Sequence, residues 1–241
     1  MFFRQFLHED KFCLSYMVGC ASFGVVSVID PQLEIKTYLE TAQKYGLKIT
    51  HIFETHVQAD HYSGGRKLSY ASSAPVYFHE NAKVIFPHQK LQDGQLLKIG
   101  NRYFKIIHTP GHTNDSITLL VDNWFILTGD TLFVGDVGRV DLSLESDPNK
   151  NTINARALYK SIFHKLIKLP DYVEIYPGHY GGSSCGKHMD GKPSSTIGYE
   201  KVHNFMLQVR SENAFKDILL KDVPQPPASF QKIKQSNLGR D

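Results

Sequence analysis

The stretch Thr55-His56-Val57-Gln58-Ala59-Asp60-His61-Tyr62-Ser63-Gly64-Gly65 sets two imidazoles and a carboxylate within six residues. It follows Leu47 to Thr55, a run whose β-branched and aromatic content predicts a strand. A strand-to-helix turn at this point can aim all three side chains at one spot. Further along, His108-Thr-Pro-Gly-His112-Thr-Asn-Asp-Ser116 follows another predicted strand, and Pro110-Gly111 forces a turn that leaves His112 on a loop. Asp130 comes just after Leu127-Thr-Gly129, and His179 just after Tyr176-Pro-Gly178. A His beside Pro-Gly is, taken alone, usually a hydrogen-bonded loop residue. Four strand ends that each deliver a His or Asp instead spell a metal site, because divalent ions want imidazole and carboxylate donors held on rigid elements.

Outward from these clusters, Phe12 to Gly19 and Gly24 to Ile29 read as two strands forming an opening hairpin. Pro31 to Tyr45 carries Ile35, Leu39, Ala42 and Tyr45 at helical spacing and ends at Gly46. Gln95 to Ile99 and Arg102 to His108 flank Gly100-Asn101, and Ser116 to Val121 and Trp124 to Thr128 flank Asp122-Asn123; both pairs predict tight hairpins. Ile153 to Leu169 predicts a helix with Leu158, Ile162, Leu166 and Leu169 on its core face, followed by a short strand from Tyr172 to Tyr176. A last helical region runs from about Ile197 to Leu220. Strands interleaved with helices and several hairpins favour a layered α/β sandwich over a doubly wound parallel sheet. Residues 1–222 are expected to form one domain. The Pro-rich Val223-Pro-Gln-Pro-Pro227 and the basic residues after it, 223–241, are expected to form an extended tail.

The 241 residues, 41% of them hydrophobic, can bury a substantial core, which argues against disorder. A net charge of +3, with no run of like charges, argues against nucleic acid as a partner. The longest apolar runs are far shorter than the roughly 20 residues that cross a bilayer, so no membrane span is expected. The acidic start, Met1 to Asp10, lacks the apolar stretch of an export signal. Three cysteines, Cys13, Cys20 and Cys185, without a C-x-x-C pair indicate neither a disulfide framework nor a thiolate zinc site, and a reducing cytoplasm fits best. Cys13 and Cys20 read as packing. Cys185, in Gly181-Gly-Ser-Ser-Cys-Gly-Lys187, is either a bystander or a thiol that handles sulfur.

The His/Asp pattern resembles the metallo-β-lactamase superfamily along essentially the whole chain. That resemblance implies an αββα sandwich, two mixed β-sheets with helices on the outer faces. Two-metal hydrolases of the superfamily, glyoxalase II among them, carry H-x-H-x-D-H, and this sequence has Gln58 at the second His. His56, His112 and Asp130 remain as a two-His, one-carboxylate set with open positions, the arrangement that non-haem Fe(II) uses to hold a substrate beside O₂. The closer resemblance is to the persulfide dioxygenases, or sulfur dioxygenases, of the bacterial and archaeal type. It rests on Thr55 to His61, Gly135-Asp-Val-Gly-Arg-Val-Asp141 and Pro193-Ser-Ser-Thr-Ile-Gly-Tyr-Glu200.

This resemblance implies one Fe(II) per chain on His56, His112 and Asp130, surrounded by Asp60, His61 and His179, which shape the site without binding the metal. It implies oxidation of a low-molecular-weight thiol persulfide, such as glutathione persulfide, by O₂ to sulfite and the free thiol. Arg139 is the expected receptor for the thiol's anionic tail, its alternative being a salt bridge to Asp136 or Asp141. Tyr180 lines the same pocket or is a packed aromatic. Asp115 is expected to hydrogen-bond the loop of His112. A separate rhodanese is the expected functional partner, 241 residues leaving no room for an appended one, and a homodimer is compatible with the sequence. The competing readings are a glyoxalase II-like thioester hydrolase, with a second metal on Asp60, His61, Asp130 and His179, and a catalytically silent sulfur carrier.

Overall fold

The computed structural model describes residues 1–142, 149–221, 223, 225–226 and 229–240. One six-stranded sheet is formed by β1 (Phe2–His8), β2 (Cys13–Cys20), β3 (Val25–Ile29), β4 (Lys48–Phe53), β5 (Val76–His79) and β6 (Gln89–Leu91), in that spatial order. The second contains β7 (Leu96–Ile99), β8 (Arg102–His108), β9 (Ile117–Val121), β10 (Phe125–Gly129), β11 (Glu174–Pro177) and β12 (Ser195–Thr196), also in chain order from one edge to the other. Both sheets are mixed: β3 to β6 run parallel while β1 to β3 alternate, and β10 and β11 are the parallel pair of the second sheet.

The helices are α1 (Lys36–Lys44), α2 (Gly65–Ser72), α3 (Lys150–Lys160), α4 (Ile197–His203), α5 (Phe205–Gln208), α6 (Glu212–Leu220) and α7 (Phe230–Asn237). Three buried clusters define the layers. Tyr16, Phe53, Phe104, Ile106 and Leu127 fill the space between the sheets. Tyr38, Ala42 and Leu68, from α1 and α2, cover the outer face of the first sheet together with Leu238. Leu158, Ile162, Leu166, Met206 and Phe215 cover the outer face of the second. The expected αββα sandwich is therefore present.

Asp122 and Asn123 both take positive φ, 49° and 54°, and the Trp124 amide donates to the Val121 carbonyl at 2.9 Å. This is the two-residue turn that the short polar side chains predict. The long helix expected to Leu169 keeps its apolar face but changes pitch, passing from α3 into a π turn over Ser161–Lys165 and a 3₁₀ turn over Leu166–Lys168. The region from Ile197 to Leu220 divides into α4, α5 and α6, with Asn204 and Ser211 capping the later two through their side chains.

Two expectations fail. The chain does not open with β2 and β3: β1 precedes them and pairs antiparallel with β2 from Phe2↔Gly19 to His8↔Cys13. It is an edge strand whose residues are only partly covered, so its polar positions resemble an unstructured terminus. Nor do the described residues after 222 form only an extended tail, because α7 folds back and buries Ile233, and Leu238 just after it is buried too. Pro224 and Pro227 of the Pro-rich run lie outside the described residues.

Candidate metal centre

The chemistry-bearing residues collect along one edge of the sandwich. His56, Asp60 and His61 lie between β4 and α2, His112 between β8 and β9, Asp130 just after β10 and His179 just after β11. Each loop leaves the carboxyl end of its strand, where α/β sheets commonly place ligands. Close approach makes this possible. Gly129 has a φ of +49°, and a Cβ there would run into the Thr55 side chain, so the strand end carrying Asp130 can lie against the one carrying His56 only because residue 129 is glycine.

Asp30, just after β3, organises the first loop. Its carboxylate accepts from the Thr55 amide at 2.7 Å, the Thr55 hydroxyl at 2.9 Å and Gln58 Nε2 at 3.3 Å. Because Thr55 Oγ1 donates to Asp30, it accepts from His56 Nδ1 at 3.0 Å, which leaves the His56 Nε2 lone pair facing inward. His112 Nδ1 donates to the Arg139 carbonyl at 2.7 Å and so presents its own Nε2, 3.5 Å from Asp130 Oδ2. The two imidazoles stand perpendicular with centroids 4.8 Å apart. His56 Nε2 and Asp130 Oδ2 are buried and have no hydrogen-bond partner. Buried polar atoms are almost always satisfied, so these two, with His112 Nε2 beside them, fit the donor set of a divalent ion. Gln58 does not join them: its amide is turned to Asp30.

Asp115 accepts from the Val57 amide at 2.7 Å. It thus bonds not the loop of His112, on which it sits, but the neighbouring loop of His56, tying the two ligand loops together.

A second group lies alongside. His179 Nδ1 is 2.7 Å from Asp130 Oδ1, and its Nε2 is 2.8 Å from Asp60 Oδ2 and 3.2 Å from Cys13 Sγ. His61 Nδ1 lies 3.1 and 3.2 Å from the two Asp60 oxygens. Asp60, His61 and His179 thus form a group beside the first cluster, joined to it by the contact of His179 with Asp130, and Cys13 corrects the reading of it as packing. Its only sequence signal was a cysteine at the opening of a buried strand. The isolated bridge between Cys13 and His179 and the bond from the Leu14 amide to the Gly178 carbonyl bring it to the site. Cys20 does belong elsewhere, on Ser22 and Asn101.

Burial and charge sort these groups into two kinds. Burial lowers His56 from the usual 6.5 to about 4, and it lowers His112 too, keeping both imidazoles neutral and able to donate a lone pair. Burial also opposes charge on His61 and His179, but it is outweighed by Asp60 for the first and by Asp130 for the second, so both are raised well above 6.5. Burial likewise opposes the Asp130 carboxylate, and the His179 charge overcomes it and holds Asp130 below the ordinary range.

The sign of the pH dependence follows. Between about 4 and 6.5 the unfolded chain takes up protons that folded His56 refuses, so the His56 contribution to the stability of the metal-free protein falls with pH through that window, whereas Asp30, raised by burial to about 6, contributes in the opposite sense. The difference between the urea midpoints of the unaltered protein and His56→Gln, measured at pH 6.5, 5.5 and 4.5, isolates the first: it should move in favour of the variant as pH falls, and a constant difference contradicts it.

The sequence of residues 12–179 matches the metallo-beta-lactamase superfamily. The chain belongs to that superfamily. Among known structures, a metallo-beta-lactamase from Staphylococcus aureus subsp. aureus COL superimposes with a TM-score of 0.92 at 36% identity, covering 98% of this chain and 73% of that one. ETHE1 from Myxococcus xanthus superimposes with a TM-score of 0.86 at 29% identity over 100% of both chains. A hydroxyacylglutathione hydrolase of Nitrosococcus oceani is 30% identical over 205 residues, 83% of this chain and 73% of that protein. The mitochondrial persulfide dioxygenase ETHE1 of Bos taurus is 25% identical over 228 residues, 92% of this chain and 80% of that one.

Beyond the metallo-beta-lactamase metal edge, the structure does not bring Arg139 and Tyr180 together. Arg139 borders a cavity of about 220 Å³ with Val137, Lys187 and Phe205, yet its guanidinium forks onto Asp141, with Nε and Nη2 each 2.7 Å from a carboxylate oxygen, and Nη1 donates to the Ser184 carbonyl. The salt bridge that shapes the loop is what forms, in place of an open fork for a ligand. Tyr180 packs edge-on against Phe12, with centroids 5.7 Å apart, and is the packed aromatic of the two alternatives. Arg139→Ala should leave Asp141 without its partner in a pair whose side chains are only 5% and 11% exposed. A loss of about 3 kcal/mol is expected, read as a fall in the urea midpoint; an unchanged midpoint would show that the pair contributes nothing.

A larger cavity, of about 370 Å³, opens beside Val57 and Thr113, the chain neighbours of His56 and His112, and is rimmed by Lys83, Lys150, Lys234 and Arg240. Lys234 lies close enough to oppose a proton on His112. Cys185 is buried, 3.9 Å from His179 Nε2, and burial pushes its thiol up to about 12. Among the described residues no helix is long and apolar enough to cross a membrane.

Proposed function

We propose that this chain is an iron-dependent persulfide dioxygenase, catalysing R–S–SH + O₂ + H₂O → R–SH + SO₃²⁻ + 2 H⁺ on a low-molecular-weight thiol persulfide such as glutathione persulfide. The observation that carries the reading is position 58. Its side chain is an amide held by Asp30 rather than an imidazole, so the cluster offers two His and one carboxylate, a facial set suited to Fe(II). Likeness to the two ETHE1 proteins, over nearly the whole chain in each case, supports it.

Iron bound there would supply the redox chemistry and the adjacent positions for persulfide and O₂. The chain's own residues do the rest. The bond from His56 through Thr55 to Asp30 and the bond from His112 to the Arg139 carbonyl lock both rings with Nε2 inward. His61 and His179, their proton affinity raised by Asp60 and Asp130, hold protons at the rim of the site, beside a reaction that releases two. The cationic rim of the larger cavity suits the carboxylates of a thiol such as glutathione.

The second reading, a thioester hydrolase, is favoured by the intact Asp60, His61 and His179 group and by the hydroxyacylglutathione hydrolase relative. One experiment separates the two. Protein prepared anaerobically with Fe(II) is assayed for O₂ uptake and sulfite with glutathione persulfide, and in parallel for cleavage of a glutathione thioester. Stoichiometric sulfite without thioester cleavage supports the dioxygenase; thioester cleavage without O₂ uptake overturns it.

A further inference from the structure

Asn154, Leu158, Ser161 and Lys165 recur at spacings of four, three and four along α3 and the π turn that follows it, so they share one side of the helix. Each of the three polar side chains ends on a backbone carbonyl of a segment that holds His112. Asn154 Nδ2 donates to the Val140 carbonyl at 2.9 Å, Ser161 Oγ to the Pro110 carbonyl at 2.7 Å and Lys165 Nζ to the His108 carbonyl at 2.7 Å. Leu158 lies against Gly111, where φ is +148° and a Cβ would run into the Leu158 backbone. Arg139, the chain neighbour of Val140, supplies the carbonyl that fixes the His112 ring. One helix face therefore touches both segments that place this imidazole.

We propose that this face is a positioning device for the metal centre, in which Ser161 and Lys165 set the placement of His112 and the π turn brings both of them to its loop. The inference rests on His112 being a metal ligand, and not on the dioxygenase reading. Packing alone does not call for these side chains. Ser161 is 2% exposed, and a hydroxyl so buried costs stability unless it is bonded, whereas an alanine would fill the place without that demand. Lys165 is itself held: one Asp93 oxygen accepts from its ammonium at 2.9 Å and the other from the His108 amide at 2.8 Å, so both backbone groups of His108 are fixed.

The helix pitch points the same way. π turns are rare and frequent at functional sites, and this one begins on Ser161 and ends on Lys165. Its i→i+5 bonds take in one residue more than an α turn, so the residues beyond it sit about 100° from where an unbroken α-helix would put them. His112 follows His108 by four residues and Pro110 by two, and a shift of either carbonyl reaches its ring through a short length of chain.

Nitric oxide on Fe(II) is the probe, because the electron spin resonance of that adduct reports the symmetry of the ligands around the metal without turnover. Ser161→Ala and Lys165→Met, loaded anaerobically with Fe(II), should each bind iron about tenfold more weakly and show an altered resonance. Ser161→Thr and Lys165→Arg, which keep a donor at each place, should restore both, and His112→Ala should abolish the resonance. Should Ser161→Ala fail to fold, Lys165→Met carries the test, its side chain being 36% exposed. Iron affinity and resonance unchanged in the Ala and Met variants but lost in His112→Ala overturn the proposal and leave the ligand set standing, and so does a lowered urea midpoint with an unchanged resonance. A resonance that survives His112→Ala overturns the ligand set and the proposal with it. O₂ uptake and sulfite in the same preparations report separately on the dioxygenase reading.

Discussion

On the proposed dioxygenase reading, replacing His112 by Ala should abolish stable binding of Fe(II) and with it nearly all O₂ consumption, and His56→Ala and Asp130→Ala should do the same. Each removes one of only three donors in the first cluster, and the two left hold a labile divalent ion weakly. The loss of iron affinity is expected to exceed the ~10–100-fold that changes around a ligand shell typically cost. His61→Asn and His179→Ala supply the contrast. His179 reaches Asp130 through a hydrogen bond at 2.7 Å and orients it, so its removal should leave measurable iron and a reduced but detectable rate of sulfite formation. Iron per chain and sulfite production across the five variants form the test. Iron retained by His112→Ala, or lost as completely from His179→Ala, would show that the ligand set is wrongly assigned.

Asn237→Ala should be the most damaging change far from the metal cluster in sequence. The Asn237 amide donates to the Gln58 carbonyl at 3.0 Å and the His61 carbonyl at 2.8 Å and accepts from the Ser63 amide at 2.9 Å. Three polar groups of the metal-bearing loop are thus satisfied by one side chain of α7. Each would be left in a largely buried place without a partner, at about 1–3 kcal/mol apiece, so a total of about 3 kcal/mol or more is expected. Because that loop carries His56 at one end and His61 at the other, iron affinity should also fall by ~10-fold or more. Chemical denaturation and iron titration measure the two effects. A variant matching the unaltered protein in both would mean that α7 merely covers the loop.

The sandwich was legible because its strands and turns are written locally. The apolar runs around Asp122-Asn123, the helical spacing before Gly46 and the face of Leu158, Ile162 and Leu166 each depend on residues a few positions apart. The positions of His56, His112, Asp130 and His179 were equally legible, since each lies within four residues of the end of a strand that the pattern predicts. β1 was lost because an edge strand needs little apolar patterning to pair, and its register is imposed by β2.

Other features belong to contacts between residues far apart in the chain. Nothing near Arg139 says whether its guanidinium stays open or closes on Asp141, a choice made when the loop packs against Ser184. Cys13 looks like any small core residue until the 166-residue separation from His179 is closed by a single β-bridge. α7 looks like a basic tail until Asn237 finds three backbone groups more than 170 residues away. The sequence by itself therefore determined the layers and the inventory of donor atoms, because periodicity and turn chemistry act over a few residues. Only the tertiary structure decided which donors share a centre and which backbone groups need a distant side chain, because hydrogen-bond and ligand geometry act over about 3 Å of space however far apart the partners lie along the chain.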